Sequence, residues 1–391
     1  MGEVFEAFLK LGLTSFGGPV AHLGYFRHAF VERRRWLDER AYADLVALAQ
    51  FLPGPASSQV GIGLGLGRAG VGGAFAAWAA FTLPSALVMV AVAYGVSAWR
   101  DVLPPGLLHG LKVVAVAVVA QAVWGMARAL CPDTPRRALA VLAAAVLVAW
   151  PSALTQVGVI LAGAGAGLAL FRDAADPGGS SLGTVVSRRT GTGLLAVFFV
   201  LLAGLPLLAV AYPAHWLALA DAFYRAGSLV FGGGHVVLPL LQSEVVPPGW
   251  VSRDAFLAGY GAAQAVPGPL FSFAAYLGAV AGPAPNGWAG AALCLVAIYV
   301  PSFLLVIGVL PFWDALRNYR PVRRALLGIN AAVVGLLLAA LYDPVWTSGI
   351  RSLADLGLAA AALALLAGGR WPPWLVVVFC AAGGWLLDVA G

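Results

Sequence analysis

Two cations stand six residues ahead of two identical triplets: Lys10 before Phe16-Gly17-Gly18, and Arg225 before Phe231-Gly232-Gly233. Two glutamines, Gln50 and Gln264, stand three residues ahead of Pro53-Gly54-Pro55 and Pro267-Gly268-Pro269. His22 and His235 follow the glycines by four and two residues, and Ser57, Ser58 and Gln59 follow the first Pro-Gly-Pro. Ammonium, guanidinium, amide, hydroxyl and imidazole are all hydrogen-bond donors, so the chemistry on offer is the holding of an anion. Glycine and proline add to it. Proline removes a backbone bond and glycine takes angles other residues avoid, so both motifs should break a helix. A broken helix exposes amides with partial positive charge, which suits an anion again. Asp44 and Glu244 are the few acids nearby and are expected at helix ends.

No catalytic or cofactor motif accompanies these residues. There is no HExxH, GxSxG or Walker loop and no clustered acid pair, so neither an enzyme nor a resident metal or cofactor is expected. Cys131, Cys294 and Cys380 are scattered and read as small buried hydrophobes.

What must position the donors is a membrane scaffold. The 391 residues are 61% hydrophobic and 10% charged, far below the roughly 25% charged residues of soluble domains. Apolar stretches lie near 4–23, 41–66, 70–97, 110–128, 138–150, 154–171, 194–212, 217–242, 255–282, 286–312, 325–342, 354–367 and 372–388. Most match the roughly 20 residues that a helix needs to cross a bilayer. The fold class is therefore an all-α polytopic membrane protein. The net charge of +6 comes from arginines between apolar stretches, where it marks topology and not a nucleic-acid surface. In such a helix a charge costs roughly 2.5–3.5 kcal/mol, so Arg225 and Lys10 are functional candidates. Snorkelling is the plain alternative for Lys10, and it is the expectation for Lys112, which stands opposite Asn330 in the repeat.

The chain repeats itself 214 to 221 residues on. FLKLGLTSFGG from Phe8 matches FYRAGSLVFGG from Phe223, Trp36 matches Trp250, and QFLPGP from Gln50 matches QAVPGP from Gln264. Pro84-Ser85 matches Pro301-Ser302, Gly110 matches Gly328, and Trp150-Pro151 matches Trp371-Pro372, all in order. The expected units are a first repeat at 1–171, a polar cytoplasmic linker at 172–193 and a second repeat at 194–391 with an extra leading helix. Gly191, in that linker, is expected to tolerate a side chain.

Arginines orient the repeats. Loop 24–40 carries Arg27, Arg33, Arg34, Arg35 and Arg40, whereas its counterpart 243–254 has only Arg253; loop 313–324 is basic and its counterpart 98–109 has only Arg100. The bias flips, as inverted repeats require. Placing 24–40, Arg68, 128–137, 172–193, 313–324 and Arg370 in the cytoplasm collects most of the 23 Lys and Arg. It requires 41–66 and 255–282, each with its Pro-Gly-Pro, to return to the side they left. Paired helix breaks in repeated halves point to a transporter's binding site.

SFGGPVAH from Ser15, ERRRWLDE from Glu32, QFLPGPASSQ from Gln50, FGGGHVVLP from Phe231 and QAVPGP from Gln264 together resemble the chromate transporter (CHR) family in its long-chain, two-repeat form. The resemblance runs from Phe8 to about Trp346. It implies export of chromate, a sulfate analogue, from the bacterial cytoplasm through the inner membrane, and resistance to it. The expected partners are then the oxyanion and the lipid bilayer, with a homodimer left open. The residues themselves leave a sulfate or other oxyanion carrier, or an anion channel, as the alternative.

Overall fold

The computed structural model describes residues 1–98, 104–171, 186–368 and 371–390. Arg100, Arg370 and most of the expected linker lie outside them. Six helices among the described residues are long and apolar enough to cross a membrane.

Each half opens with two helical hairpins. α1 (Gly2–Thr14) ends at the Phe-Gly-Gly, and α2 (Gly18–Phe26) returns beside it. The return is shown by Phe8 of α1, which meets Phe26 and Phe30 at 5.4 and 4.8 Å, and by Trp36 Nε1 donating to Glu3 at 3.2 Å. α3 (Glu39–Phe51), capped by Asp38, runs in to the Pro-Gly-Pro, and α4 (Ala56–Ala98) carries the chain back, with Leu45 packed on Gly63. At Ala69 and Gly70 α4 leaves helical angles, so its remainder, 71–98, is a separate span. By length it covers about 40 Å at 1.5 Å per residue.

α5 (Pro105–Leu130), α6 (Thr134–Ala149) and α7 (Ala153–Leu170) complete the first half. α8 (Arg188–Ala211) follows, so the helix begins six residues before the expected end of the linker. Ser187 accounts for this, because its side chain accepts from the Thr190 amide and caps the helix. Gly191 is therefore not a linker residue: it packs inside α8 against the Gly308 carbonyl.

The second half opens the same way. α9 (His215–Leu229) and α10 (Val237–Val245) flank the second Phe-Gly-Gly, and α11 (Arg253–Ala263) and α12 (Phe273–Val280) flank the second Pro-Gly-Pro. Arg225 reaching Glu244 closes the first of these hairpins, and the Tyr276 hydroxyl donating to the Ala255 carbonyl closes the other. α13 (Gly287–Val309), the short α14 (Trp313–Asn318), α15 (Arg320–Ala340), the single turn α16 (Thr347–Gly349), α17 (Leu353–Ala367) and α18 (Pro373–Ala390) finish the chain. The sequence marks the Pro-Gly-Pro segments as hairpins; the Phe-Gly-Gly segments turn back as well, because Gly17, Gly18, Gly232 and Gly233 all adopt positive φ.

The halves interlock. α7 packs on α15 of the other half, where Gly163 and Gly167 meet Gly328, and α18 packs on α5, where Gly384 meets Gly106 and Gly110. Small residues let membrane helices approach closely, which is how these contacts gain dispersion energy in lipid. Gly12 and Gly227 likewise abut the carbonyls of Ala80 and Ile298, which lie shortly ahead of Pro84 and Pro301 inside their helices.

Polar contacts sort the loops into two sets. Glu3, Arg34, Trp36 and Arg68 cluster on one, where Arg68 above all holds the Glu3 carboxyl below the usual carboxylate range. Asp44 pairs with Arg317 on the same set, at 3.1 Å. Asp44 is thus buried within α3, not at a helix end. On the other set Lys112 pairs with Asp254 at 2.6 Å, His109 with Asp355 at 2.9 Å, and Arg253 with Asp343 at 2.9 Å. Lys112 does not snorkel: it is buried and neutralised by the first turn of α11. Cysteines placed at 34 and 320 should accordingly label from one side of the membrane and a cysteine at 253 from the other. The native cysteines are all buried and give little background. Labelling of 34 and 253 from the same side would overturn the inverted arrangement.

Candidate functional site

The four hairpin tips meet, and they meet across the repeat. The Gly54 amide donates to the Val230 carbonyl at 2.7 Å, joining the first Pro-Gly-Pro to the second Phe-Gly-Gly. The Gly268 amide donates to the Ser15 carbonyl at 2.9 Å, joining the second Pro-Gly-Pro to the first Phe-Gly-Gly. Ser302 Oγ lies beside Gly54 and Ser85 Oγ beside Gly268, so the matched Pro-Ser pairs also cross over. A backbone bond in lipid has no water to replace it, so these two bonds tie the halves together at the level of the breaks.

Beside the second junction is a cavity of about 80 Å³ lined by Gly17, Gly18, Pro19, Gln121, His235, Gln264 and Gly268, with apolar walls from α5, α11 and α17. One water needs roughly 10–15 Å³ of such space, so a small solvated ion fits. α2 starts at its edge, with Gly17 at φ 101° as the N-cap. His235 Nδ1 lies 2.8 Å from the Tyr260 hydroxyl, and Gln264 Nε2 donates to the Tyr260 carbonyl. The lining holds no lysine, arginine, aspartate or glutamate. A larger cavity of about 240 Å³ opens among Trp36, Leu45 and Arg68, away from the tips. It lacks the converging donors of the first.

The equivalent place in the other half is plugged. Met126 and Leu130 of α5 lie against Gly232, and Met126 also reaches Gly233. The breaks are thus duplicated, but beside Gly232 side chains of α5 take up the space.

The remaining candidates are placed unevenly. Lys10 is exposed on α1 and lines no part of the cavity. Arg225 is not free to hold an anion alone: its Nη2 lies 2.9 Å from Asp221 and 2.8 Å from Glu244. The two cations stand on hairpins that open to opposite sides and do not meet. Gln50 is exposed, unlike its counterpart Gln264. Ser57 and Ser58 are buried but occupied, Ser57 Oγ 3.4 Å from His22 Nδ1 and Ser58 Oγ 3.4 Å from the Tyr299 hydroxyl. His22 also contacts the Ser15 carbonyl, as a structural histidine would. Pro53 accepts from Gln59 Nε2 at 2.6 Å, and Pro55 accepts from the Gln59 amide in the first turn of α4. Phe16, Phe231, Pro267 and Pro269 shape the tips without lining the cavity. Gln121 is a lone glutamine inside an apolar helix and belongs to no motif. Its only signal is its polarity in a membrane span.

The family model for chromate transporters matches residues 2–168 and 217–385, one copy over each half and neither over α8. The chain belongs to the chromate transporter family. It is 28% identical to a chromate transport protein of Pseudomonas aeruginosa over 98% of this chain and 92% of the relative. It is 26% identical to a probable chromate transport protein of Synechococcus elongatus over 98% and 94%. A chromate transport protein of Cupriavidus metallidurans is 26% identical over 92% and 85%. No solved structure matches. The chain is therefore a multi-pass membrane transporter with two family repeats.

Arg225→Gln should show what that arginine does. The change leaves Asp221 and Glu244 without a cation, and breaking such a partly buried network costs on the order of 3–5 kcal/mol. Folded protein recovered in detergent should fall sharply, whereas Arg320→Gln should leave it unchanged. Normal yield of Arg225→Gln with transport lost would return Arg225 to the anion path.

Proposed function

We propose that this transporter exports chromate from the cytoplasm across the bacterial inner membrane and so confers resistance to it. The observation that carries the reading is the cavity at the hairpin tips, where the start of α2, the Gly17–Gly18 backbone, Gln121, Gln264 and His235 converge without a formal charge. Neutral donors can replace the hydration of a tetrahedral oxyanion while binding it weakly enough to release it. The names of the relatives in Pseudomonas aeruginosa and Cupriavidus metallidurans support chromate as the ion.

The missing countercharge has an energetic consequence. A dianion in an uncharged site carries both charges through the field, at about 2.3 kcal/mol per charge per 100 mV. An inside-negative membrane therefore favours its exit by about 4.6 kcal/mol at 100 mV without another source of energy. Rocking of the crossed tips would open the site to either side in turn.

The test is efflux of labelled chromate from proteoliposomes with an imposed potassium diffusion potential. An inside-negative potential should speed efflux, and excess sulfate, which presents the same four oxygens, should slow it. Flux that ignores voltage, or sulfate transport without chromate transport, would overturn the proposal in favour of a sulfate or other oxyanion carrier.

A further inference from the structure

The Asp221–Arg225–Glu244 cluster is unbalanced. One guanidinium nitrogen of Arg225 serves both carboxylates, at 2.9 and 2.8 Å, so two negative charges share one positive. Asp221 is 7% exposed, and its Oδ1 is buried with no hydrogen-bond partner. Ionised, the carboxylate would keep Oδ2 on a nitrogen it shares with Glu244 and leave Oδ1 desolvated without a donor, which is the arrangement folded proteins avoid. A proton on Oδ1 removes the excess charge and leaves the Arg225–Glu244 pair intact.

We propose that Asp221 is a proton-binding site of the transporter, loaded from the side to which the α9–α10 hairpin opens. A hydronium gives its proton to Oδ1, forming the O–H bond, and leaves as water. Among the described residues, the elements packed on α9 bring no other charge near Asp221. α10 contributes Glu244; α13 carries Cys294 and Tyr299, and Tyr224 and His215 lie on α9 itself. α8 has only Arg188 and Arg189 at its start; the Tyr224 hydroxyl bonds the Phe198 carbonyl, which sets those arginines about 15 Å further along the helix. A metal cation is a poorer occupant, since hard cations take six or more oxygens. Among the described residues no group of three metal-binding side chains exists.

The other half shows what the device requires. Glu6 and Lys10 hold the positions of Asp221 and Arg225, yet both are exposed on α1. Among the described residues, only in the second half is the acid buried and the cation partly so, and only there does an acid on the returning helix join them. Glu244 bonds Arg225 across a hairpin whose Val230 carbonyl holds Gly54. A proton that shifts to Glu244 would loosen the limb that carries this tip. The site therefore stands where proton binding can be exchanged against anion movement.

The inference rests on the anion-carrier reading, and its primary test does not. Infrared difference spectra of the full-length protein in lipid, taken across a pH series, should contain a protonated-carboxyl band. That band should vanish in Asp221→Asn, shift in frequency in Asp221→Glu and persist in Glu6→Gln. Asp221→Asn keeps Arg225 balanced by Glu244, so it should fold. In proteoliposomes, wild-type chromate efflux should change at least fivefold with external pH, and the Asp221→Asn rate by less than twofold. A band unchanged in both Asp221 variants, or the same pH profile in wild type and Asp221→Asn, overturns the proton site. Absence of wild-type flux at every pH sinks the carrier reading instead and leaves the spectra to decide the site.

Discussion

Gly54→Ala and Gly268→Ala should each cut chromate efflux at least tenfold in protein that still inserts. Gly54 sits at φ 128° and Gly268 at φ 99°, where an L side chain is strained by about 1–2 kcal/mol. The added carbon also has nowhere to go. At Gly54 it would overlap Gln59 Nε2 and approach Ser302 Oγ to 2.8 Å; at Gly268 it would meet Ser85 at 3.0 and 3.2 Å. Either shift pulls an amide off its carbonyl in the other half. At 1.4 kcal/mol per factor of ten, strain and a lost bond of about 1 kcal/mol together exceed the tenfold threshold. Gly54 should suffer more, because its added carbon meets closer neighbours. Gly158→Ala, in open space on α7, should be silent. Gly191 is no control, since its added carbon would lie 2.8 Å from the Gly308 carbonyl. Normal flux from well-expressed Gly54 and Gly268 variants would reduce the tips to packing kinks.

The repeat, the helical class and the breaks are legible in the chain because glycine and proline act locally. Phe16-Gly17-Gly18 and Pro53-Gly54-Pro55 disturb the helix wherever the rest of the protein sits. The crossing of the tips is not legible in that way: Gly54 to Val230 and Gly268 to Ser15 are backbone bonds, and backbone bonds leave no residue type to read. Charges misled for a related reason. Lys112 looks like a snorkelling lysine because its partner, Asp254, lies far along the chain on another hairpin. Arg225 looks like an anion ligand until the chain is seen to fold back, bringing Glu244 to it. Residue type says that a buried charge needs a partner; only the fold says whether the partner is cargo or protein.

Ala263→Leu should abolish transport while leaving the fold in place. Ala263 lines the cavity at the tips, and leucine adds three carbons to a space of about 80 Å³. It sits on α11 one residue before Gln264, so the new side chain takes volume that the ion and its last waters would share. Filling a cavity tends to raise stability when no neighbour must move, so the variant should melt no lower than wild type. Gln121→Leu makes a different change at the same place: it removes a donor with little change in size. A hydrogen bond to a charged ion is worth about 1.5–3 kcal/mol, so efflux at low chromate should fall roughly tenfold or more, and raising chromate should recover part of it. Ala263→Leu should not recover at any concentration. The contrast separates blocking from weakened binding, which a general loss of folding cannot imitate. If both variants transport normally, the ion does not pass the tips of the hairpins, and the larger cavity beside Trp36 and Arg68 becomes the place to look.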